Sequence, residues 1–267
     1  MIQTPYCNSM GIFGKFFQKD TFDSFVKDKR VALVGPANYL NHFNFGEIID
    51  SYDFTARINR GMELVRNHSL NIGSKTDILF NCLIEHNDNG GKIDIEKLNK
   101  SEVKWICTIP RSDFHGKVKS KRLSRGVKLT TILKLKYYCN FHIYDYKKYG
   151  YLNKKVKCRS NTGFSAIFDL LDSGVKEVYV TGYSFYMDSF MKGYKAGCSR
   201  DEEKFAEDCF SSIRHDQKNQ WEYLKTFKDD PRLSFDPILG ELLNKKSLKR
   251  SDFPEILDNA KNLFNSK

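Results

Sequence analysis

The sequence of 267 residues contains no long hydrophobic run. No apolar stretch approaches the ~20 residues that a membrane-spanning helix needs. The N-terminal segment MIQTPYCNSMGIFGKFFQKD (1–20) lacks the charged region, apolar region and cleavage site of a signal peptide. Its Gly11, Phe13, Phe16 and Phe17 fit a contact with a membrane surface, but docking on the protein as part of a strand or helix is the favoured prediction. These absences predict a soluble protein located in the cytoplasm.

Paired cysteines are also missing. The seven cysteines are scattered, and no two of them form a C-x-x-C pair. An odd number of cysteines without a secretion signal predicts reduced thiols, most of them buried.

The repeated glycines of dinucleotide and P-loop fingerprints are absent as well. VALVGPANYL (31–40) is an apolar run that ends in a single glycine followed by a proline. One glycine argues against NAD or ATP as the ligand and leaves other nucleotides open.

Basic residues are in excess, with 44 Lys and Arg against 33 Asp and Glu, a net charge of +11. Such an excess favours anionic partners, namely nucleic acid, anionic lipid or a phosphorylated sugar donor. The densest cluster, HGKVKSKRLSRGVKLTTILKLK (115–136), fits either a solvated helix face or a peripheral contact with a membrane surface or anionic glycan. No specific nucleic-acid partner is expected, because helix-turn-helix, zinc-finger and RNP signatures are absent.

Short apolar runs alternate with helical patterns, which is typical of a mainly parallel α/β sheet. The predicted strands are RVALVG (30–35), FTARIN (54–59), TDILFNC (76–82), VKWICTIP (103–110), FHIYDY (141–146) and KEVYVTGY (176–183). Helices are predicted over 93–102 and over 162–174, where Gly174 provides the stop. From Ser199, a predicted N-cap, the pattern is mostly helical. We therefore predict one domain over 1–267, with an α/β core at 30–198 and a helical portion at 199–267.

Ligands of open α/β sheets bind at the carboxyl ends of the strands, and three such ends carry suitable groups. Gly35 permits close backbone approach, and the amides after Pro36 are predicted to face a phosphate or ribose. At the second strand end, the amide of Asn59 and the guanidinium of Arg60 suit contacts with a base edge and a phosphate. At the third, residues 160–163 precede a helix, and a helix N-terminus suits an anion. The alternative for each group is that its residues only cap the neighbouring helix or turn and bind no ligand. The candidates are Gly35, Pro36, Ala37 and Asn38; Asn59 and Arg60; and Ser160, Asn161, Thr162 and Gly163.

SSIRHDQKNQWEYLK (211–225) contains a candidate general base, His215. Asp216 is a good N-cap, so a helix is predicted to begin just after the histidine. A nearby helix N-terminus favours the neutral imidazole that a general base requires. Glu222 lies about 10 Å further along that helix, too far for a hydrogen bond with His215.

In this order, the motifs resemble those of glycosyltransferase family 29, the sialyltransferases, which use CMP-sialic acid. VALVGPANYLNHFNFGEIIDSYDFTARINRG (31–61) resembles the large sialylmotif, and CRSNTGFSAIFDLLDSGVKEVYVTGYSF (158–185) the small one. HDQKNQWE (215–222) is similar to the very small motif. The resemblance runs from residue 30 to residue 222, and its two long motifs are specific.

The resemblance implies a single-domain, Rossmann-like, doubly wound fold, a variant of the GT-A type. It implies an inverting, metal-independent transfer with His215 as base, with which the absence of any Asp-x-Asp agrees. The partners would be a CMP-sugar donor and a glycan acceptor (an oligosaccharide, glycolipid or lipooligosaccharide), with no cofactor. The implied donor contacts add Phe164, Gly182 and Tyr183 to the candidates above.

Several positions depart from the family pattern. Pro36 and Ala37 replace a usual Asn and Ser, and Arg30 stands near the place of a disulfide-forming cysteine. The His-aromatic-aromatic motif that precedes the base is missing, so another group must stabilise the leaving phosphate. The candidates for that role are Tyr183, Tyr194 and Lys195.

Two alternatives stay open on the sequence alone. The donor could carry another CMP-linked acid sugar such as Kdo, because the donor motifs would look alike. The chain could also be a non-catalytic protein on a transferase fold that binds anionic glycans or nucleic acid, as the charge of +11 suggests.

Overall fold

A computed structural model describes residues 21–86, 90–124, 126–195, 197–198 and 201–265 of the protein. The predicted docking of Phe13, Phe16 and Phe17 and the predicted N-cap at Ser199 lie outside these residues. The N-cap that the structure describes for the helix after residue 199 is Asp201, whose side chain accepts from the Lys204 amide.

One seven-stranded sheet forms the centre of the fold, and every neighbouring pair of strands is parallel. The strand order is β5-β4-β3-β2-β1-β6-β7. The strands are β1 (Arg30–Val34), β2 (Phe54–Ile58), β3 (Ile78–Phe80), β4 (Trp105–Thr108), β5 (Asn140–Ile143), β6 (Glu177–Thr181) and β7 (Leu233–Phe235). The predicted mainly parallel α/β sheet is confirmed. The strand β7 was not predicted, because Ser234 interrupts it and polar residues precede it, so that no apolar run marks the strand.

Helices cover both faces of the sheet. They are α1 (Phe22–Val26), α2 (Gly46–Asp50), α3 (Gly61–Ile72), α4 (Ile95–Lys100), α5 (Leu129–Tyr138), α6 (Tyr146–Val156), α7 (Thr162–Asp172), α8 (Glu202–Phe210), α9 (Gln217–Lys225), α10 (Pro237–Asn244) and α11 (Phe253–Asn265). Three 3-10 helices are described, at Asn38–His42, Ile213–His215 and Arg250–Asp252. No helix of the described ranges is long and apolar enough to cross a bilayer.

The core lies between the sheet and these helices. Central strands are apolar on both faces because both faces are covered, as in β1, where residues 31–34 are all buried. The helix α7 is the most buried, with every residue from Thr162 to Leu171 inside. Within the described chain all six cysteines are free thiols, and Cys107 fills the core of β4 as expected.

The winding of the sheet reverses between β1 and β6. Strands β1 to β5 follow one another in one direction, and β6 and β7 lie on the other side of β1. The connections that leave β1 and β6 therefore diverge and open a crevice at the carboxyl ends of these two strands.

Two glycines form this crevice. A Cβ atom at Gly35 would lie 2.3 Å from the Gly182 carbonyl oxygen, and one at Gly182 would lie 2.5 Å from the Gly35 carbonyl oxygen. Gly182 also has φ +73°, a left-handed conformation that side chains disfavour. The glycine at the end of VALVG is thus required by the packing of two backbones.

A buried carboxylate fastens β7 and α10 to the same crevice. Asp236 caps α10 through the Leu239 amide at 2.8 Å and accepts from the Gly182 amide at 3.0 Å. The Tyr39 hydroxyl donates to Asp236 at 2.5 Å and accepts from the Tyr183 amide at 3.1 Å. Three segments of the chain, at residues 39, 182 and 236–239, therefore meet at one fully buried side chain.

We expect Asp236→Ala to lower the free energy of unfolding by about 3 kcal/mol or more, because two buried amides and a hydroxyl lose their acceptor. Tyr39→Phe removes one hydroxyl and should cost about 1–2 kcal/mol. The measurement is urea unfolding followed by circular dichroism. Asp258→Ala, at a carboxylate that is 72% exposed, is the control and should change stability by less than about 0.5 kcal/mol. Equal effects of Asp236→Ala and the control would contradict the role of this network.

Candidate active site

A cavity of about 270 Å³ lies at the crevice between β1 and β6. Residues that follow the carboxyl ends of five strands line it, as expected for an open α/β sheet. Those strands are β1, β2, β3, β4 and β6. From the sequence-predicted site, the lining includes Pro36, Ala37, Asn59, Asn161, Thr162, Gly163, Phe164, Gly182, Tyr183, Tyr194, Lys195 and His215.

His215 lies at the wall of the cavity in a fixed orientation. Its Nδ1 is 2.7 Å from the carbonyl oxygen of Arg159. A carbonyl oxygen only accepts, so Nδ1 carries the proton and Nε2 keeps its lone pair in the neutral ring. Burial, assisted by the charges of Arg159 and Arg214, lowers the pKa of His215 to about 4. The ring is therefore neutral near pH 7, and its Nε2 is a proton acceptor.

The predicted start of a helix after His215 is confirmed. Asp216 is the N-cap of α9, and its side chain accepts from the Asn219 amide at 2.9 Å. The side chains of Gln217 and Gln220 donate to the His215 carbonyl oxygen and fix the backbone there. Glu222 lies on the exposed side of this continuous helix, as its spacing from His215 indicated.

The loop before α7 is fastened to the segment that carries His215. The Arg159 amide donates to the Arg214 carbonyl oxygen at 3.2 Å, and the Asn161 amide donates to the Gln220 side chain at 3.3 Å. The Asn161 side chain in turn caps α7 through the Phe164 amide at 2.8 Å. The first turn of α7 thereby lines the cavity, and the first amides of a helix have no acceptor within it. This turn can receive an anion.

Ser160 belongs to the framework and not to the cavity wall. Its side chain is fully buried and bonds to Asn153 at 2.7 Å and to Ser165 at 2.9 Å. The same side chain could have served a ligand, which is why the sequence suggested it. Asn153 also accepts from the Ser160 amide at 2.9 Å, so the serine holds the loop in shape.

The amides after Pro36 do not face the cavity as predicted. Those of Ala37 and Asn38 donate to the carbonyl oxygens of Gly182 at 3.1 Å and Ser189 at 2.9 Å. The Tyr39 amide donates to the carboxylate of Asp188 at 2.5 Å. Residues 36–39 therefore pair with the segment 188–191, and the prediction of a phosphate on these amides is wrong. Gly35 and Asn38 lie outside the lining, while Pro36 and Ala37 form part of it.

Asn59 lines the cavity in a left-handed conformation, φ +48°. Its side chain accepts from the Cys82 amide at 3.1 Å, which ties the ends of β2 and β3 together. Arg60 lies behind it, outside the lining, with its guanidinium on the Glu63 carboxylate at 3.3 Å. The helical turn that begins at Gly61 brings Glu63 within reach, so this arginine is held in an ion pair beside α3.

Two arginines of the cavity wall were missed as ligand contacts. Arg159 and Arg214 both line it, and the Nε of Arg159 is buried without a hydrogen-bond partner among the described residues. Lys195, 7% exposed, adds a third cation, with its Nζ 4.2 Å from the centre of the Phe205 ring. Two features of the sequence could have indicated them. Each arginine is adjacent to a predicted site residue, and the chain has an excess of positive charge. The cavity is suited to a ligand with more than one negative charge.

Aromatic hydroxyls complete the wall. The Tyr183 hydroxyl donates to the Gly163 carbonyl oxygen at 2.9 Å, and that of Tyr194 to the Ile58 carbonyl oxygen at 3.3 Å. Tyr186, which was also missed, lines the cavity with φ +59°. Such left-handed backbone is uncommon for a bulky residue and clusters at functional sites. Burial raises the pKa of Tyr186, so its hydroxyl stays protonated as a potential donor.

One part of the chain matches the model of a known family. Residues 8–107 match the family model "Glycosyltransferase family 29 (sialyltransferase)". This region contains the large motif and the strands β1 to β4. No curated protein matches the chain.

Two solved structures of sialyltransferases are similar to this chain. A mammalian sialyltransferase in complex with Gal-beta-1-3GalNAc-ortho-nitrophenol is 17% identical, with a TM-score of 0.48 over 80% of this chain and 71% of its own. The sialyltransferase CstII from Campylobacter jejuni, in complex with a substrate analogue, cytidine-5'-monophosphate, is 15% identical, with a TM-score of 0.48 over 78% of this chain and 79% of its own.

The family match coincides with the large motif that carried the resemblance in the sequence, and the parallel sheet places that motif at the cavity. The resemblance to glycosyltransferase family 29, the sialyltransferases, is confirmed over residues 8–107.

Proposed function

We propose that the protein transfers sialic acid from CMP-sialic acid to a hydroxyl of a glycan acceptor, with inversion at the anomeric carbon and without a metal ion. The observation that carries this proposal is His215, a neutral imidazole with its Nδ1 proton fixed on the Arg159 carbonyl oxygen, in a cavity lined by cations. The proposed fold is a GT-A-like variant of the doubly wound sheet. Its C-terminal portion carries the base, the helices α8 to α11 and the edge strand β7.

The proposed reaction is a direct displacement. The acceptor hydroxyl oxygen attacks the anomeric carbon while Nε2 of His215 takes the hydroxyl proton. The bond between the anomeric carbon and the phosphate oxygen breaks, and CMP leaves with the electron pair. The imidazolium that forms then holds the one proton released.

The positively charged side chains of the cavity are proposed to neutralise the negative charges of the donor. A CMP-linked acid sugar carries one phosphodiester and one carboxylate, two negative charges in all. Arg159, Arg214 and Lys195, with the first turn of α7, offer enough positive charge for both groups. Because these side chains neutralise a single phosphate, the proposed reaction needs no divalent metal. Tyr186 is the proposed hydroxyl donor to the leaving phosphate, because the hydroxyl protons of Tyr183 and Tyr194 are donated to carbonyl oxygens of the protein.

The cytoplasm is the proposed location. The free thiols of the described cysteines support it, because disulfides are rare in that compartment. The proposed acceptor is an oligosaccharide, a glycolipid or a lipooligosaccharide.

We expect His215→Ala to lower kcat for transfer by about 10²- to 10⁴-fold, the usual worth of a general base. Thermal stabilisation by CMP should persist, since the cationic residues remain. CMP release from CMP-sialic acid and from CMP-Kdo measures the activity and separates the two donors. His42→Ala, at an exposed histidine, is the matched control and should keep full activity. Equal turnover in both variants would remove His215 from the mechanism, and no CMP release from either donor by the unmodified protein would contradict the proposed function.

Arg159→Gln should weaken donor binding by about tenfold or more, because a buried charge-assisted contact is worth about 1.5–3 kcal/mol. Calorimetric titration with CMP and with CMP-sialic acid measures the affinity. Arg66→Gln, an exposed arginine on α3, removes the same charge elsewhere and is the control. Unchanged affinity of Arg159→Gln would show that its guanidinium does not contact the donor.

The pH dependence of kcat/KM should reflect the low pKa of His215. The base must be neutral, so activity should be retained from pH 7 down to about 5 and lost as the pH falls through about 4. Arg214→Gln removes a charge that lowers this pKa and should move the acid limb to higher pH. The profile is measured with the donor below its KM, and circular dichroism at each pH checks that the protein is folded. A limb near pH 6.5 would contradict the buried environment of His215.

A further inference from the structure

The positive charge of the chain is concentrated in one part of the fold. Residues 114–168 contain 14 Lys and Arg and a single acidic residue, Asp145. The rest of the chain is close to neutral, with 30 Lys and Arg against 32 Asp and Glu. The net charge therefore belongs to the region from the end of β4 to α7, which includes α5, α6 and the edge strand β5.

Within this region α5 exposes apolar side chains in a row. Leu129, Leu133 and Tyr137 are 68%, 58% and 44% exposed, and their i, i+4, i+8 spacing keeps them on one face of the helix. Lys134 and Lys136 are exposed on either side of this row. The opposite face is anchored by Leu135, which is buried in a small core with Leu98 and Ile106. The exposed row is thus separate from the side of the helix that holds it on the protein.

The basic segment 116–128, which precedes α5, is hydrogen-bonded to other parts of the fold at both of its ends. The Asn153 side chain of α6 donates to the Gly116 carbonyl oxygen at 2.9 Å. At the start of α5, Lys128 and Thr131 bond to the Glu85 carboxylate at 2.9 and 2.5 Å. Glu85 follows Ile84, which lines the cavity. The exposed face of α5 is therefore held at a set position relative to the cavity.

We infer that the exposed face of α5 docks on the surface of an anionic lipid bilayer. An apolar row flanked by lysines is the arrangement of helices that lie in the membrane interface, and each nearby Lys or Arg adds attraction to anionic headgroups. Tyrosine is enriched at that depth. Nucleic acid offers nothing to cover two exposed leucines, so the apolar row favours the bilayer over that partner. Docking therefore sets the position of the cavity relative to the membrane surface.

The test is co-sedimentation of the full chain with vesicles, and it needs no donor or acceptor. Vesicles of three parts phosphatidylcholine to one part phosphatidylglycerol should bind the protein, and vesicles of phosphatidylcholine alone should bind it at least about tenfold more weakly. Raising the salt concentration should weaken the binding. The variant Leu129→Ser/Leu133→Ser should lose about tenfold or more in partitioning, because the inserted apolar area is removed.

Matched variants separate the proposed face from general effects. Leu70→Ser, at a leucine 78% exposed on α3, should bind vesicles like the unmodified protein. Lys134→Gln/Lys136→Gln should weaken binding, while Lys246→Gln/Lys249→Gln, which removes the same charge from exposed positions elsewhere, should weaken it much less. Unchanged thermal midpoints confirm that the variants fold.

Three results would overturn the inference. The first is vesicle binding that does not depend on phosphatidylglycerol or on the two leucines. The second is salt-dependent binding to a DNA duplex that Lys134→Gln/Lys136→Gln abolishes, with no vesicle binding. The third is a dimer in sedimentation velocity that Leu129→Ser/Leu133→Ser converts to a monomer, since the face would then be covered by a second copy. Each result is independent of transferase activity, so failure of the proposed function leaves this test intact.

Discussion

The contact between the backbones of Gly35 and Gly182 is the constraint on which the rest of the site depends. A side chain at either position would overlap the carbonyl oxygen of the other, at 2.3 and 2.5 Å. Because both glycines lack a side chain, the turns after β1 and β6 meet where the winding of the sheet reverses. Asp236 then fastens the Gly182 amide to the cap of α10. The cavity is the space that these crossing turns leave at the sheet edge.

This contact also decides which groups can bind an anion. It brings residues 36–39 beside residues 188–191, and the amides of Ala37, Asn38 and Tyr39 bond there instead of facing the cavity. Pro36 fits this arrangement. Proline has no amide proton, and none of these hydrogen bonds requires one at position 36. The loop after β1 therefore acts as a wall. In the proposed site, the side chains of other loops and the first turn of α7 would recognise the anion.

The sequence predicted six of the seven strands, because buried parallel strands are continuous apolar runs. It also predicted the cap at Asp216, since capping depends on neighbours in the sequence. It could not separate Ser160 from Asn161, two polar residues of one loop, because only tertiary packing turns one into the core and the other to the cavity. The environment of Arg159 was equally hidden. Whether its buried Nε has a hydrogen-bond partner depends on residues from other elements.

The cations that would hold the proposed donor also control the proposed base. In the free protein Arg159 and Arg214 add to burial in lowering the pKa of His215 to about 4, which makes the imidazole a weak base. A bound donor with two negative charges opposes those cations, and its own charge stabilises the imidazolium. Binding of the proposed donor would therefore strengthen His215 as a base. The cavity would then favour proton transfer only when the donor is present, which couples activation of the acceptor hydroxyl to occupancy of the donor site.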